Sequence, residues 1–250
     1  MSLDRWKEVE MTISRLEVKS VRYSYDGFMN VLEDVSFSIG EGTIVGLIGP
    51  NGSGKSTLIK NIFDLLRLQS GSIGVDGHEH ASAAAKSQGT YLTSNDYLPE
   101  FLSAREYVSL LGSLYHIDVD HTRARDLFRK FSMEGRYDNL IEDYSHGMRK
   151  KTQLISALLM SRPLTVIDET LNGIDLEALY LSEIEFRRLR DEGLSILLCT
   201  HDFALLERVA DRIVFLDLGQ LVIDKPTNSL IAEYGSLATM VFDHIGSDLR

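Results

Sequence analysis

Gly49-Pro50-Asn51-Gly52-Ser53-Gly54-Lys55-Ser56-Thr57 fits the spacing G-x-x-x-x-G-K-[ST] at every fixed position, the pattern of a loop that wraps phosphates. Its glycines let successive backbone N–H groups turn inward, and a helix starting at the end of the loop adds its partial positive charge. Lys55 is expected to reach the β- and γ-phosphates as a point charge, and the Ser56 hydroxyl to ligate Mg²⁺. A second cluster, Leu164-Thr165-Val166-Ile167-Asp168-Glu169, runs from apolar residues into two adjacent acids. Asp168 is suited to hold Mg²⁺ and Glu169 to polarise water. Two acids at a strand end are by themselves only solvated charge. A phosphate loop in the same chain turns them into a metal and water site, and the chain reads as a binder of nucleoside triphosphates.

These groups need elements that hold them. Thr43-Ile44-Val45-Gly46-Leu47-Ile48 is short, apolar and β-branched, which predicts a buried strand, and Leu58 to Phe63 has helical spacing. Alternation over Ile13–Val18 and Val35–Ile39, with Gly40-Glu41-Gly42 as a turn, predicts half-buried strands forming an antiparallel flap beside the phosphate loop. Gly71 to Gly77 reads as a short strand between turns, while Ala81 to Lys86 is too small and polar to place. From Ser103 to about Met160 the pattern is mostly helical, opening on the capping box Ser103-Ala104-Arg105-Glu106, with Tyr107, Leu110, Leu111 and Leu114 as its apolar stripe. Strands at Leu164–Ile167, Ser195–Cys199 and Ile213–Leu216 then alternate with helices after Ile174 and from Phe203. The fold class is α/β: a largely parallel sheet covered by helices, with an N-terminal antiparallel subdomain and an inserted helical one.

A chain of 250 residues with 44% hydrophobic content supports one sizeable core, or one core and a small subdomain. The formal net charge of −11 argues against nucleic acid as a partner. Cys199 is the single cysteine, which rules out an intramolecular disulfide and suits a reducing compartment; its apolar setting reads as a buried structural thiol. No uninterrupted apolar run exceeds four residues, so the sequence shows neither a membrane span nor a signal-peptide core. Met1 to Glu10 lacks periodicity, and ordered structure is expected from near Ile13.

Tyr144-Ser145-His146-Gly147-Met148, followed by a basic stretch and the apolar helix Leu154–Met160, places a hydroxyl and backbone N–H groups at a helix N-terminus, a site for an anion. With the phosphate loop and the acidic strand, this segment resembles the signature of ABC transporter ATP-binding subunits, which begins Leu-Ser-Gly-Gly-Gln. Matches run in family order from about Ile13 to Lys225. The resemblance implies a P-loop NTPase core in a single ATPase domain over residues 11–235, a helical subdomain at about 100–160 and a C-terminal extension at 236–250. It also implies ATP and Mg²⁺ as ligands, and ATP contacts from Tyr25 (or Tyr23) through adenine stacking and from Gly49, Asn51, Gly52, Ser53, Gly54, Lys55, Ser56 and Thr57. Glu169 and His201 become the catalytic pair, His201 standing where the family has its switch histidine. Ser145, His146, Gly147 and Asp175 become contacts to ATP held by an opposite subunit, either a second copy or a related ATPase.

Three departures stand out. Ser94 occupies the place of a glutamine that links Mg²⁺ to the membrane partner; it is too short to copy that reach, which leaves a bridging water or Asn95 as substitutes. His146 replaces a glycine, and Thr170-Leu171 replaces the usual Pro-Thr. The neighbouring Tyr97, Leu98, Phe101 and Leu102 read either as subdomain core or as a groove for a partner helix. The implied function is a cytoplasmic ATPase motor, peripheral on the inner face of the membrane, driving a separate permease; the Ser-x-Gly-Met form resembles bacterial exporters. A soluble-assembly ABC ATPase is the first alternative. A P-loop small-molecule kinase is the second, and it leaves Ser145-His146-Gly147 and His201 unexplained.

Overall fold

The computed structural model describes residues 14–248; Met1–Glu10, Ile13 and the first residues of the expected domain lie outside them. Alternating side chains form β1 (Ser14–Ser24) and β2 (Asn30–Gly40), paired antiparallel, with Leu16, Val18, Val21, Leu32, Val35 and Ile39 turned inward. β3 (Ile44–Ile48) is buried along its whole length and leads through the phosphate loop into α1 (Lys55–Ile62). β4 (Ser70–Val75) returns beside β1, and β5 (His78–Glu79) closes the edge of this four-stranded antiparallel sheet, ordered β2-β1-β4-β5. Ala81–Lys86, unplaced from sequence, contributes to α2 (Ala83–Gln88), capped by the Ser82 hydroxyl.

β6 (Gly89–Leu92) comes next, followed by α3 (Ala104–Tyr115), α4 (His121–Lys130), a 3-10 turn at Ile141–Asp143 and α5 (His146–Met160). The capping box forms as expected: the Ser103 hydroxyl accepts from the Glu106 amide, and the Glu106 carboxylate accepts from the Ser103 amide. The apolar stripe expected on α3 needs correction. Leu110 and Leu114 are exposed, and the buried positions are Ala104, Val108 and Gly112, with Tyr107 and Leu111 partly covered. Close packing explains the preference for small residues: a Cβ on Gly112 would lie 2.4 Å from the Val119 side chain.

β7 (Leu164–Asp168), α6 (Leu176–Asp191), β8 (Ser195–Cys199), α7 (Phe203–Val209) and β9 (Arg212–Asp217) follow, then β10 (Gln220–Pro226), α8 (Thr227–Tyr234) and α9 (Leu237–Asp248). The six-stranded sheet runs β10-β9-β3-β8-β7-β6, parallel except at the β9–β10 hairpin. Its central strands serve two cores. Ile44, Ile48, Ile167, Ile196 and Leu198 face a core shared with α5, α6 and α7, while Val45, Leu47, Val166 and Leu197 face one shared with α1 and the antiparallel sheet. Each such side chain contributes about 1.5–3 kcal/mol on burial, so the strands stay fixed while their C-terminal ends carry irregular loops. Leu237 and Met240 of α9 are buried in the first core.

Candidate nucleotide site

β3, β7 and β8 are parallel and end at one edge of the sheet, where Gly49, Glu169 and Thr200 follow them. Backbone geometry explains the glycines of the loop. Gly49 has φ 155°, and a Cβ there would lie 2.0 Å from the Leu216 carbonyl oxygen; Gly54, at φ 101°, would meet Val31 O at 2.7 Å. The loop thus lies directly against β9 and β2, and the Ser53 amide closes it by donating to Pro50 O at 3.2 Å. Lys55 is buried, and its ammonium donates to the carbonyls of Gly49 and Pro50 at 2.8 and 2.9 Å. The Ser53 hydroxyl is buried without a hydrogen-bond partner.

A cleft of about 310 Å³ opens over the loop, lined by Asn51, Gly52, Gly54, Lys55, Ser56, Thr57, Ser94, Asp168 and Glu169. The structure therefore brings the phosphate loop, both acids and Ser94 to one place. Tyr25 stands beside it, largely exposed, its hydroxyl 3.2 Å from Thr57 Oγ1. Tyr23, the other register, is buried, its ring at 80° to that of Tyr25 with centroids 5.1 Å apart, so of the two only Tyr25 is open to solvent.

Asp168 is buried at the end of β7. Burial raises its carboxyl above the ordinary value, against the opposing bonds from Cys199 and Tyr91 and the nearby Lys55 charge. Tyr91 donates to Asp168 Oδ2 at 3.2 Å, and its ring stacks on Phe63 at 5.1 Å, which fixes the hydroxyl's aim. Burial also pushes the Cys199 thiol up, in keeping with the structural thiol expected from sequence. Glu169 turns out of the strand at φ 54°, its amide donating to Cys199 O at 2.9 Å. That left-handed turn directs its carboxylate into the cleft and to His201, with Oε1 3.0 Å from Nε2.

The second anchor of the resemblance lies elsewhere. Ser145 caps α5, its hydroxyl accepting from the Met148 amide, and neither it, His146 nor Gly147 lines the Lys55 cleft. His146 is exposed, as a surface histidine would be, yet its Nδ1 sits 2.7 Å from Asp96 Oδ2. Partial burial works against the charge on Asp96, but the bond and charge of His146 and the nearby Arg149 hold its carboxyl below the ordinary range. Asp175 caps α6 by accepting from the Ala178 amide at 2.9 Å. Asn95 does not reach the cleft: its side chain accepts from the Tyr97 amide, and its carbonyl accepts from Gln153. Of the four apolar residues nearby, Leu98 is buried and Leu102 half-buried, whereas Tyr97 and Phe101 are exposed, so the segment is partly core and partly surface.

Sequence reasoning missed Asp96, Tyr91 as a partner of Asp168, and the contact of Thr170, named above only as a departure, whose hydroxyl donates to Thr93 O at 2.9 Å. Their partners lie 50 or 77 residues away, and no local pattern announces them.

The family model described as ABC transporter matches residues 32–172, a span from β2 past both the phosphate loop and the acidic strand. The chain belongs to the ABC transporter family. It is an ATP-binding subunit, an ATP hydrolase that powers transport. Among curated proteins it is 32% identical over 227 residues to the ABC-type transporter ATP-binding protein EcsA of Bacillus subtilis, covering 89% of this chain and 92% of that one. It is 30% identical over 213 residues to the daunorubicin resistance ATP-binding protein DrrA3 of Streptomyces coeruleorubidus, covering 84% and 67%. A solved ATP-binding subunit of an ABC transporter superposes with TM-score 0.84 at 32% identity, covering 94% of this chain and 98% of that one. Among the described residues of this ATPase, no helix is long and apolar enough to cross a membrane.

Proposed function

We propose that this ATPase closes around two ATP molecules with a second copy or a related subunit, and that hydrolysis reopens the pair to drive a separate membrane permease. The observation that carries this reading is the division of the site. Lys55, Ser56, Asp168 and Glu169 share one cleft, while Ser145–Gly147 stands outside it at an exposed helix N-terminus, a place for an anionic ligand that another chain would hold. In the cleft, Gly49 to Thr57 would cradle the phosphates and Tyr25 would stack on adenine. ATP would replace the Gly49 and Pro50 carbonyls as partner of the Lys55 ammonium.

Mg²⁺ fits the donor set: the Ser56 hydroxyl and the Asp168 carboxylate are hard oxygen ligands, and Ser94 lines the same cleft as a possible water-mediated third. When bound, the ion neutralises charge developing on the phosphates. Glu169 accepts the proton of the attacking water, and His201, through the bond it shares with Glu169, holds that carboxylate in place and contacts the γ-phosphate. Ser145, His146, Gly147 and Asp175 meet the other subunit's ATP.

Tyr97 and Phe101, exposed beside Ser94, offer an apolar surface to the permease, which sets the protein on the inner face of the membrane. The resemblance to separate-chain exporters favours export. Glu169→Gln with ATP tests the closed pair: light scattering is expected to show a mass doubling that wild type loses on turnover. Co-purification of an integral membrane protein from the native host distinguishes transport from a soluble assembly. A chain that stays monomeric at every ATP concentration and captures no related ATPase subunit, or copurifies only with soluble proteins, contradicts the corresponding half of the proposal.

A further inference from the structure

The basic stretch after Ser145-His146-Gly147 is not spread over solvent as a charge run usually is. Lys150 and Lys151 are both buried, at 5% and 7% exposure. Burying an ammonium is costly unless its donors are used, so what the two side chains hold is informative. The Lys150 ammonium donates to the carbonyl of Asn172. The Lys151 ammonium donates to Phe131 O at 3.1 Å, where it also meets the partial negative charge at the C-terminus of α4, and it pairs with Asp175 Oδ2. Asp175 is at the same time the cap of α6. Burial opposes its charge, and the bonds from Lys151 and the Ala178 amide outweigh that and keep the carboxyl below its ordinary value.

Two successive side chains of α5 therefore grip both ends of the 172–175 turn. Gly147 lies against the same turn: a Cβ placed on it would be 3.8 Å from Gly173 O. We infer that Lys150 and Lys151 are positioning residues that lock the N-terminus of α5 to the 172–175 turn, so that these two segments meet the opposite subunit's ATP as one rigid piece. The inference rests on the two-subunit reading above. Without the lock, each segment would be ordered separately during closure, and that loss of freedom would be subtracted from the stability of the closed pair. Binding of ATP to the open subunit would be untouched, because neither lysine lines the Lys55 cleft.

The test uses the full chain carrying Glu169→Gln, with ATP and Mg²⁺, and reads the protein concentration at half-dimerisation by light scattering. Added Lys151→Met is expected to raise that concentration by ~10-fold or more, a size in the range of measured coupling between linked groups. Calorimetric ATP affinity of the monomer is expected to stay at the parent value. Lys151→Arg, which keeps the charge and its donors, is expected to restore most of the dimerisation. Lys150→Met, which removes only the Asn172 contact, is expected to show the same pattern more weakly and serves as the readout should Lys151→Met lower the unfolding temperature. Dimerisation of Lys151→Met and Lys150→Met at the parent concentration would overturn the lock. A Glu169→Gln parent that stays monomeric overturns the second-copy form of the two-subunit reading, and the lock between copies with it.

Discussion

Lys55 is held by the carbonyls of Gly49 and Pro50, six and five residues away in the chain, whereas His146 is held by Asp96, 50 residues away. The same contrast runs through the regions around them. At the phosphate loop the work is done by backbone: a buried strand, glycines whose missing Cβ atoms let the loop lie on β9 and β2, and the first turn of α1. At the start of α5 the work is done by side chains reaching across the fold, with His146 paired to Asp96, Arg149 to Glu100 and Lys151 to Asp175. Backbone-built sites tolerate little change in residue type but announce themselves in sequence. Side-chain-built sites allow departures such as His146 for glycine, provided the contacts elsewhere change with them.

The sharpest way to break this comparison is to remove one chemical group from the backbone-built half. Glu169→Gln keeps the shape of the cleft and its left-handed turn but removes the acceptor for the water proton, so turnover is expected to fall by at least ~10²-fold while ATP still binds. Near-normal phosphate release in a steady-state assay would take Glu169 out of that role. Lys55→Ala acts earlier. Loss of a charge-assisted contact of about 1.5–3 kcal/mol is expected to weaken ATP binding by ~10- to 100-fold, and an unchanged calorimetric affinity would contradict the phosphate assignment.

The comparison also explains what the sequence made legible. The phosphate loop, the Asp168-Glu169 strand end and the Ser103–Glu106 cap are each written within a few residues, and each forms where the spacing puts it. The stripe on α3 misled because apolar spacing marks a helix but not which face is inside; Leu110 and Leu114 lie on the outer one, and Val108 and Gly112 on the inner. α2 was unreadable because its three alanines carry no periodicity, and the Ser82 cap alone is a weak signal. The tie from Thr170 to Thr93, and those of Asp96 and Lys151, depend on the tertiary fold, and no single stretch of sequence contains them.

Two substitutions sharpen the boundary between the halves. Tyr25→Ala removes the exposed ring beside the cleft and is expected to weaken ATP binding several-fold, in line with the ~0.5–1.5 kcal/mol of an aromatic contact, while leaving the fold intact. Competition with triphosphate alone provides the check: if the ring stacks on adenine, affinity for inorganic triphosphate is unaffected by the change. Ser94→Gln lengthens a side chain that already lines the cleft with Asp168, and basal ATP hydrolysis by the isolated subunit is expected to rise. Hydrolysis at or below the wild-type rate would show that water alignment does not depend on reach at position 94.

The smallest expected effect belongs to His146→Gly, which converts the side-chain-built region towards the common family form. The pair with Asp96 is largely exposed on the histidine side, and such pairs contribute about 1 kcal/mol or less, so thermal unfolding is expected to move by only a few degrees. ATP binding to the monomer is expected to be unchanged, because position 146 does not line the Lys55 cleft. Closure is where the change is expected, since residues 145–147 do not line the Lys55 cleft and Asp96 would lose its His146 partner. Phosphate release measured against protein concentration, with light scattering on the Glu169→Gln form, separates the two steps. If His146→Gly abolished ATP binding to the monomer and left dimerisation unaltered, position 146 would belong to the backbone-built half after all, and the contrast between the two regions would fail at its most exposed residue.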